Sequence, residues 1–378
     1  MSGPEAIEAV GREVAPSPIE IDPRQVDAGR KQGIPPAQWF YVELPSPCNL
    51  KCPFCPSPTL KRPRQLMDPA LAKSVFSQIG EYVRRQDMSG YLQLKRMVFL
   101  HVMGEPLLHP DFVKCVGYAR DAGLVPALFT NCTLLNEKHI QKIFDAGISH
   151  VTLSLNATDD AGYKSLGTKD SFDDQEQRVL ELLHHRAERD ARWLHVDIQY
   201  IASAGRTVRG TGFLETEPQV WELYRRWLLR VRHMGGGYAN LVGNRPHAPP
   251  AVMMNPLNMD GVDPSLQLPL DEGIDLVVKS GCSFGNAMLP DGVVVEPSTS
   301  GHCPFDNPSR QMAIFADGSV SFCNLDYENS VNLGNLQELT IDEIWTGERM
   351  QGIRESMALG RLSEPVCQRC LGFLRRVA

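Results

Sequence analysis

Between Trp39 and Arg232, short apolar runs alternate with longer stretches of helical spacing, and this limits the folds open to the chain more than any other feature. The runs Trp39 to Leu44, Arg96 to His101, Pro126 to Thr130, His150 to Leu155 and Leu194 to Ile201 are bounded by polar residues, as buried strands are. After the first of them, Pro69 to Val83 carries Leu71, Val75, Phe76, Ile79 and Val83 on one helical face, with Asp68 placed as a cap. Pro110 to Ala122, Asn136 to Ala146, Ser171 to Arg192 and Pro218 to Arg232 read as further helices, and Tyr238 to Val242 is a candidate sixth strand. Strands separated by crossover helices predict an α/β fold around a parallel sheet.

Directly after the first strand lie Cys48, Cys52 and Cys55, in C-x3-C-x2-C spacing. Three thiolates this close can bind three irons of a 4Fe-4S cube and leave the fourth iron without a protein ligand, open to chemistry. A zinc knot is the competing reading; it needs a fourth ligand from elsewhere, and zinc sites usually draw on two separated pairs. Met1 to Gln38 lacks the basic flank and apolar centre of a signal peptide, which points to the cytoplasm. Thiols stay reduced there, so ten cysteines indicate metal ligation rather than disulfides.

A net charge of -7 gives no global basic field for nucleic acid, and no apolar run approaches the length of a membrane span. The run Lys61-Arg62-Pro63-Arg64 reads as a solvated loop, with the holding of an anionic substrate as the alternative. Gly235-Gly236-Gly237 and the Pro- and Met-rich stretch Asn244 to Asp263 break the alternation, as a linker or a cover over the site would. Near the C-terminus, Met312 to Phe315, Ala316-Asp317-Gly318 and Ser319 to Cys323 predict a hairpin, and Ile341 to Met357 a helix.

The cysteine spacing resembles the cluster motif of the radical S-adenosylmethionine (SAM) superfamily. Six strand and helix alternations beginning at that motif resemble the family's partial (β/α)6 barrel. The resemblance implies an N-terminal extension over 1–38, the barrel over 39–245, a connecting and site-covering segment over 246–302, and a small C-terminal subdomain over 303–378. It also implies that SAM chelates the open iron, that Phe54 lies beside the adenine, and that Gly104-Glu105-Pro106 holds the SAM amino group. Ser154, Asn156 and Gln199, at the ends of the fourth and fifth strands, are implied SAM contacts, with capping or turn roles as the alternative. Where the family often has Thr-Asn-Gly, this chain has Thr130-Asn131-Cys132, and Cys132 is either a tolerated small residue or a functional thiol.

Cys303, Cys323, Cys367 and Cys370, with the hairpin, Asn332-Leu333-Gly334-Asn335 and the terminal C-x2-C, resemble the twitch subdomain, the shortened form of the SPASM module. That likeness implies one auxiliary 4Fe-4S cluster with four cysteine ligands; zinc is again the alternative. Cys115 reads as helix packing, and Cys282 as either a spare thiol or a hydrogen-atom donor to a substrate radical. The resemblance implies abstraction of a hydrogen atom from a C-H bond, with an external one-electron reductant such as flavodoxin or ferredoxin. The expected substrate is small, polar and carbohydrate-like, with no nucleic acid and no membrane involved. Epimerisation or dehydrogenation of a sugar or aminocyclitol in antibiotic biosynthesis comes first, and modification of a ribosomally made peptide second. An iron-sulfur scaffold or electron carrier without SAM chemistry is the reading from another class.

Overall fold

The computed structural model describes residues 36–86, 96–203, 209–233, 265–280 and 283–377. In chain order the elements are β1 (Trp39–Val42), α1 (Pro69–Arg85), β2 (Met97–Phe99), α2 (Phe112–Asp121), β3 (Val125–Thr130), α3 (Glu137–Ala146) and β4 (His150–Asn156). There follow α4 (Asp160–Ser165), α5 (Phe172–Glu188), β5 (His195–Ala202), α6 (Glu217–His233), β6 (Ser265–Asp271), β7 (Ile274–Ser280) and β8 (Val293–Glu296). The C-terminal part holds α7 (Asn307–Arg310), β9 (Gln311–Ile314), β10 (Ser319–Ser321), β11 (Gly334–Asn335), α8 (Ile341–Thr346), α9 (Glu348–Ala358), α10 (Pro365–Cys370) and β12 (Phe373–Arg376).

One ten-stranded sheet runs in the order β11-β10-β9-β1-β2-β3-β4-β5-β7-β6. β1, β2, β3, β4, β5 and β7 are parallel in that order, giving the six parallel strands of the α/β barrel sheet. Alternate strand residues point to opposite faces. Val98, Leu128, Val151, Leu153, Val196, Ile198 and Leu276 turn outward and are fully buried under the helices. α1 meets them through Ala72, Val75, Phe76 and Ile79, and starts where the sequence places it: the Asp68 side chain accepts from the Ala70 N–H at 2.7 Å. α1 also lies hard against the end of α2, because a Cβ at Gly80 would stand 2.4 Å from the Ala122 carbonyl oxygen.

Three features differ from the sequence expectation. The sixth parallel strand is β7, within the segment expected to be a connector, and Tyr238 to Val242 lies outside the described residues. β7 is half of an antiparallel hairpin with β6, so the apolar run is short and its strand character depends on a partner next to it. The C-terminal module extends the barrel sheet itself: β9 pairs in parallel with β1, from Trp39 with Gln311 to Val42 with Ile314. The expected helix from Ile341 to Met357 is two helices, α8 and α9, broken at Gly347, whose extended ψ of 152° interrupts the turn. The Gly235-Gly236-Gly237 and Met-rich stretches fall outside the described residues.

Candidate active site

The loop after β1 carries Cys48, Cys52 and Cys55, and its neighbours hold it by backbone. Gly104, at φ 83°, has no room for a side chain: a Cβ would meet the Pro45 oxygen at 2.1 Å and the Pro47 oxygen at 2.7 Å. That close approach lets the Glu105 N–H donate to the Pro47 carbonyl at 3.0 Å, so the Gly104-Glu105-Pro106 turn is stitched to the residues just before Cys48. The Glu105 carboxylate turns the other way. Its oxygens accept from the Asn131 N–H at 2.8 Å and the Leu107 N–H at 3.2 Å, tying the loop after β2 to the loop after β3. Burial pushes this carboxyl up to about 7, against the pull of its hydrogen-bond donors.

Asn131 completes the brace. Its amide Nδ2 donates to Asn49 Oδ1 at 2.9 Å and lies 3.8 Å from Cys48 Sγ. Cys132, at φ 66°, occupies a left-handed position that favours glycine, and its side chain is fully buried with Sγ 3.7 Å from the Thr130 carbonyl oxygen. Burial, then the Glu105 charge, push its thiol far above the ordinary range. Cys132 is therefore buried and protonated. Cys115 is likewise fully buried in α2.

The thiols of the cluster loop fit a metal core by their chemistry. Burial raises Cys52 well above the ordinary thiol range, and the charges of Cys55 and Cys48 raise it further, so the three thiols lie within electrostatic reach of one another. Burial likewise raises Cys48. Interacting thiols of this kind give up their protons when positive metal takes the space between them. Phe54 is buried among Ala157, Tyr163, Leu166, Ile201 and Phe213, with its ring 5.8 Å from that of Phe213. Ser154 and Gln199 face one another on adjacent strands, Gln199 Nε2 lying 3.5 Å from Ser154 Oγ. Asn156 ends β4 after a bulge, at φ 65°.

The inner wall also contains residues that sequence reasoning did not single out. Tyr41 stacks on Phe99 at 4.8 Å, and His101 lies 4.2 Å from the Phe129 ring. Burial, and then the charge of Lys279 on β7, hold His101 neutral, down to about 3. Its Nδ1 is buried without a hydrogen-bond partner. Interior alternation along the strands was a signal for Tyr41 and Phe99; Lys279 was hidden because β7 itself was not recognised.

Arg62 proves to be neither solvated nor a ligand for an external anion. Its guanidinium is bidentate to Glu43, which is fully buried, and its Nε donates to the Tyr327 carbonyl at 2.6 Å. Glu43 also accepts from the Met103 N–H at 3.1 Å, and Arg62 lies 4.6 Å from the Phe315 ring centroid. Cluster loop, second-strand loop and C-terminal module thus meet at one ion pair.

In that module Cys303 and Cys323 come from the loops before α7 and after β10, and Cys367 and Cys370 from α10. Burial, then the charges of Cys370 and Cys303, raise both Cys323 and Cys367, the latter up to about 12, so both thiols lie within electrostatic reach of Cys370 and Cys303. The Asn307 amide donates to Cys323 Sγ at 3.2 Å, matching the Asn131 contact at the first loop. The turn from Ser283 to Met288 buttresses Cys370: Asn286 Nδ2 donates to the Arg369 and Cys370 carbonyls at 3.0 Å. Cys282, just before that turn, lies outside the described residues. Two sets of mostly half-buried, mutually interacting thiols, each with an amide at a sulfur, suit two iron-sulfur clusters.

Residues 43–188 match the family model described as the radical SAM superfamily, and residues 303–371 match SPASM, described as an iron-sulfur cluster-binding domain. The chain belongs to the radical SAM superfamily, in its SPASM or twitch branch, and its cofactors are a 4Fe-4S cluster, an auxiliary cluster and SAM. It is 32% identical over 134 residues to the PqqA peptide cyclase of Gluconobacter oxydans, a match covering 35% of this chain and 34% of that protein. The PqqA peptide cyclase of Bradyrhizobium diazoefficiens is 31% identical over 145 residues, 36% of this chain and 34% of the relative. These matches thus span about a third of the length of the curated relatives. SuiB of Streptococcus suis, solved bound to precursor peptide SuiA, superposes with a TM-score of 0.52 at 15% identity, over 90% of this chain and 72% of that one. That likeness is one of fold. No helix among the described residues is long and apolar enough to cross a membrane.

Proposed function

We propose that this radical SAM enzyme modifies a peptide, with Cys48, Cys52 and Cys55 holding the SAM-binding cluster and Cys303, Cys323, Cys367 and Cys370 the auxiliary one. The observation that carries the peptide reading is the sequence match to proteins named PqqA peptide cyclase. The sugar or aminocyclitol reading placed first from sequence rested on the likeness to twitch-type enzymes, with Cys282 putting epimerisation ahead of dehydrogenation; the matches to peptide cyclases favour the peptide reading instead.

When bound, the cluster and SAM supply a 5'-deoxyadenosyl radical able to take a hydrogen atom from an unactivated C-H bond. The chain's own residues give that chemistry a fixed frame. Glu105 and Asn131 lock the loops after β2 and β3 to the cluster loop. Gly104 lets its turn close against Pro45 and Pro47, which brings the Gly104-Glu105-Pro106 backbone beside the cluster loop as a candidate partner for the SAM amino group, while Ser154, Asn156 and Gln199 present polar groups at the strand ends, where ligands meet sheets of this kind. The Glu105 side chain serves as the tie between loops, its two oxygens being taken by backbone donors. Tyr41, Phe99 and Phe129 keep the interior apolar and exclude water. An external one-electron donor is required.

The test is anaerobic incubation of reconstituted protein with reductant, SAM and, in parallel, peptide and aminocyclitol panels, followed by mass spectrometry for 5'-deoxyadenosine and product. Peptide-dependent 5'-deoxyadenosine with a peptide short of two hydrogens is expected. Stimulation by aminocyclitols alone would reverse the order of the two readings.

A further inference from the structure

At the opposite end of the sheet from the cluster loop, His150 opens β4, His195 opens β5, and Asp197 lies two residues into β5. Register pairs His150 with His195, and Asp197 with Asp275 of β7. With a period of two, these side chains share the interior face with Ser154 and Gln199, about 20 Å below the strand ends at the rise of a strand. Nothing in the proposed chemistry uses them.

Their geometry is specific. The two imidazoles stack at 4.8 Å with planes 24° apart, and both aim Nε2 at one carboxylate: His150 at Asp197 Oδ2, 2.8 Å away, and His195 at Asp197 Oδ1, 3.1 Å away. His195 Nε2 also lies 3.2 Å from Asp275 Oδ2, and that oxygen accepts from Gln267 Nε2 at 2.9 Å. One ligand atom from each of His150, His195 and Asp197 lies within 4.8 Å of the others. A tetrahedral zinc at 2.0–2.1 Å from nitrogen and oxygen ligands sets its donors about 3.3 Å apart, so only small shifts separate this arrangement from a coordination shell.

We propose that His150, His195 and Asp197 form a zinc-type divalent-cation site that fastens the starts of β4 and β5, with Asp275, whose Oδ2 faces the same His195 Nε2, as a further oxygen donor from β7. Nitrogen and carboxylate oxygen are suitable donors for zinc and similar first-row ions. The Nε2 atoms of both imidazoles already face the Asp197 carboxylate, so zinc binds there by replacing their protons, which leave to solvent. The side chains of His150, His195 and Asp197 keep 25%, 33% and 15% of their exposure, so an ion has a path in from solvent. The site contains no sulfur, which separates it from both cysteine sets.

The experiment uses the full chain with both clusters reconstituted anaerobically, exposed to zinc sulfate and desalted through a weak chelator. One zinc per chain is expected above an unchanged iron content, with a zinc-edge X-ray absorption shell of nitrogen and oxygen including imidazole. His150→Gln keeps a donor for Asp197, and should lose the zinc while keeping its iron and its melting temperature without zinc. Asp275→Asn should weaken zinc retention, though less than His150→Gln does, because the oxygen facing His195 Nε2 loses its charge. Zinc should raise the melting temperature of the parent chain but not of the His150→Gln protein. Absence of retained zinc, sulfur in the shell, or equal retention by the His150→Gln protein would overturn the proposal.

Discussion

Cys48, Cys52 and Cys55 lie on one loop after a single strand, whereas Cys303, Cys323, Cys367 and Cys370 are drawn from separate parts of the C-terminal module. The first set is held from outside. Gly104 and Glu105 pin the chain before Cys48, Asn131 braces Asn49, and Ser46 donates its N–H to the Gln65 carbonyl while its Oγ accepts from the Gln65 N–H. The second set gathers segments far apart in the chain, which are joined by backbone contacts such as Ser298 N–H to the Gln368 carbonyl and by the β8–β12 pairing. A pre-built loop can leave one metal position free for chemistry, while a site that closes on four ligands spends its ligation on holding a module together.

The sharpest way to break this contrast is to empty each site in turn. Replacing Cys48, Cys52 and Cys55 together by Ala should halve the iron and abolish reductive SAM cleavage, yet leave circular dichroism and the melting transition close to the parent's. A collapse of the fold in this variant would show that the loop depends on its metal after all. Replacing Cys367 and Cys370 by Ala should act oppositely on the structure: iron again falls by half, and limited proteolysis cuts between Cys303 and the C-terminus under conditions the parent resists. A proteolytic pattern like the parent's would deny the second site its structural role.

Legibility in the sequence follows the same division. The cluster loop, the Asp68 cap and five of the six parallel strands could be read because each is encoded within a few neighbouring residues. β7 could not, since its strand partner β6 and the gap before it break the regular alternation. The pairing of β9 with β1 joins residues far apart in the chain, and no local pattern specifies it. Arg62 was misread for the same reason: its partners Glu43 and Tyr327 lie on either side of the cluster and at the other end of the chain.

That ion pair allows a smaller test of how firmly the two regions are joined. Arg62→Met leaves Glu43 buried without its cation, and breaking such a pair by removing one partner costs about 3–5 kcal/mol. Burial already raises the Glu43 carboxyl, with Arg62 the main opposing pull, so the variant should protonate Glu43. Denaturant unfolding should show the loss, and Glu43→Gln in the Arg62→Met background should recover part of it. If the single variant unfolds like the parent, the pair is not what joins the cluster loop to the module.

The mildest effect expected is at Glu105, and it has a sign. Burial raises this carboxyl to about 7 in the folded chain, above its unfolded value of about 4.3. The folded state therefore holds the proton more tightly, so the group's contribution is complete below about pH 4.3 and is lost as pH rises through about 7. The gap between the two values corresponds to at most about 4 kcal/mol. Glu105→Gln cannot ionise, and it leaves one of the Asn131 and Leu107 N–H groups without its acceptor, a cost of about 1–3 kcal/mol that does not vary with pH. The variant should accordingly be less stable than the parent at pH 5.5 and should close that gap, or reverse it, by pH 8.5. Urea unfolding of the cluster-loaded proteins at both pH values reads the difference directly. A constant gap would mean that Glu105 is already ionised throughout the range, its charge stabilised by the backbone donors of the two loops it ties together.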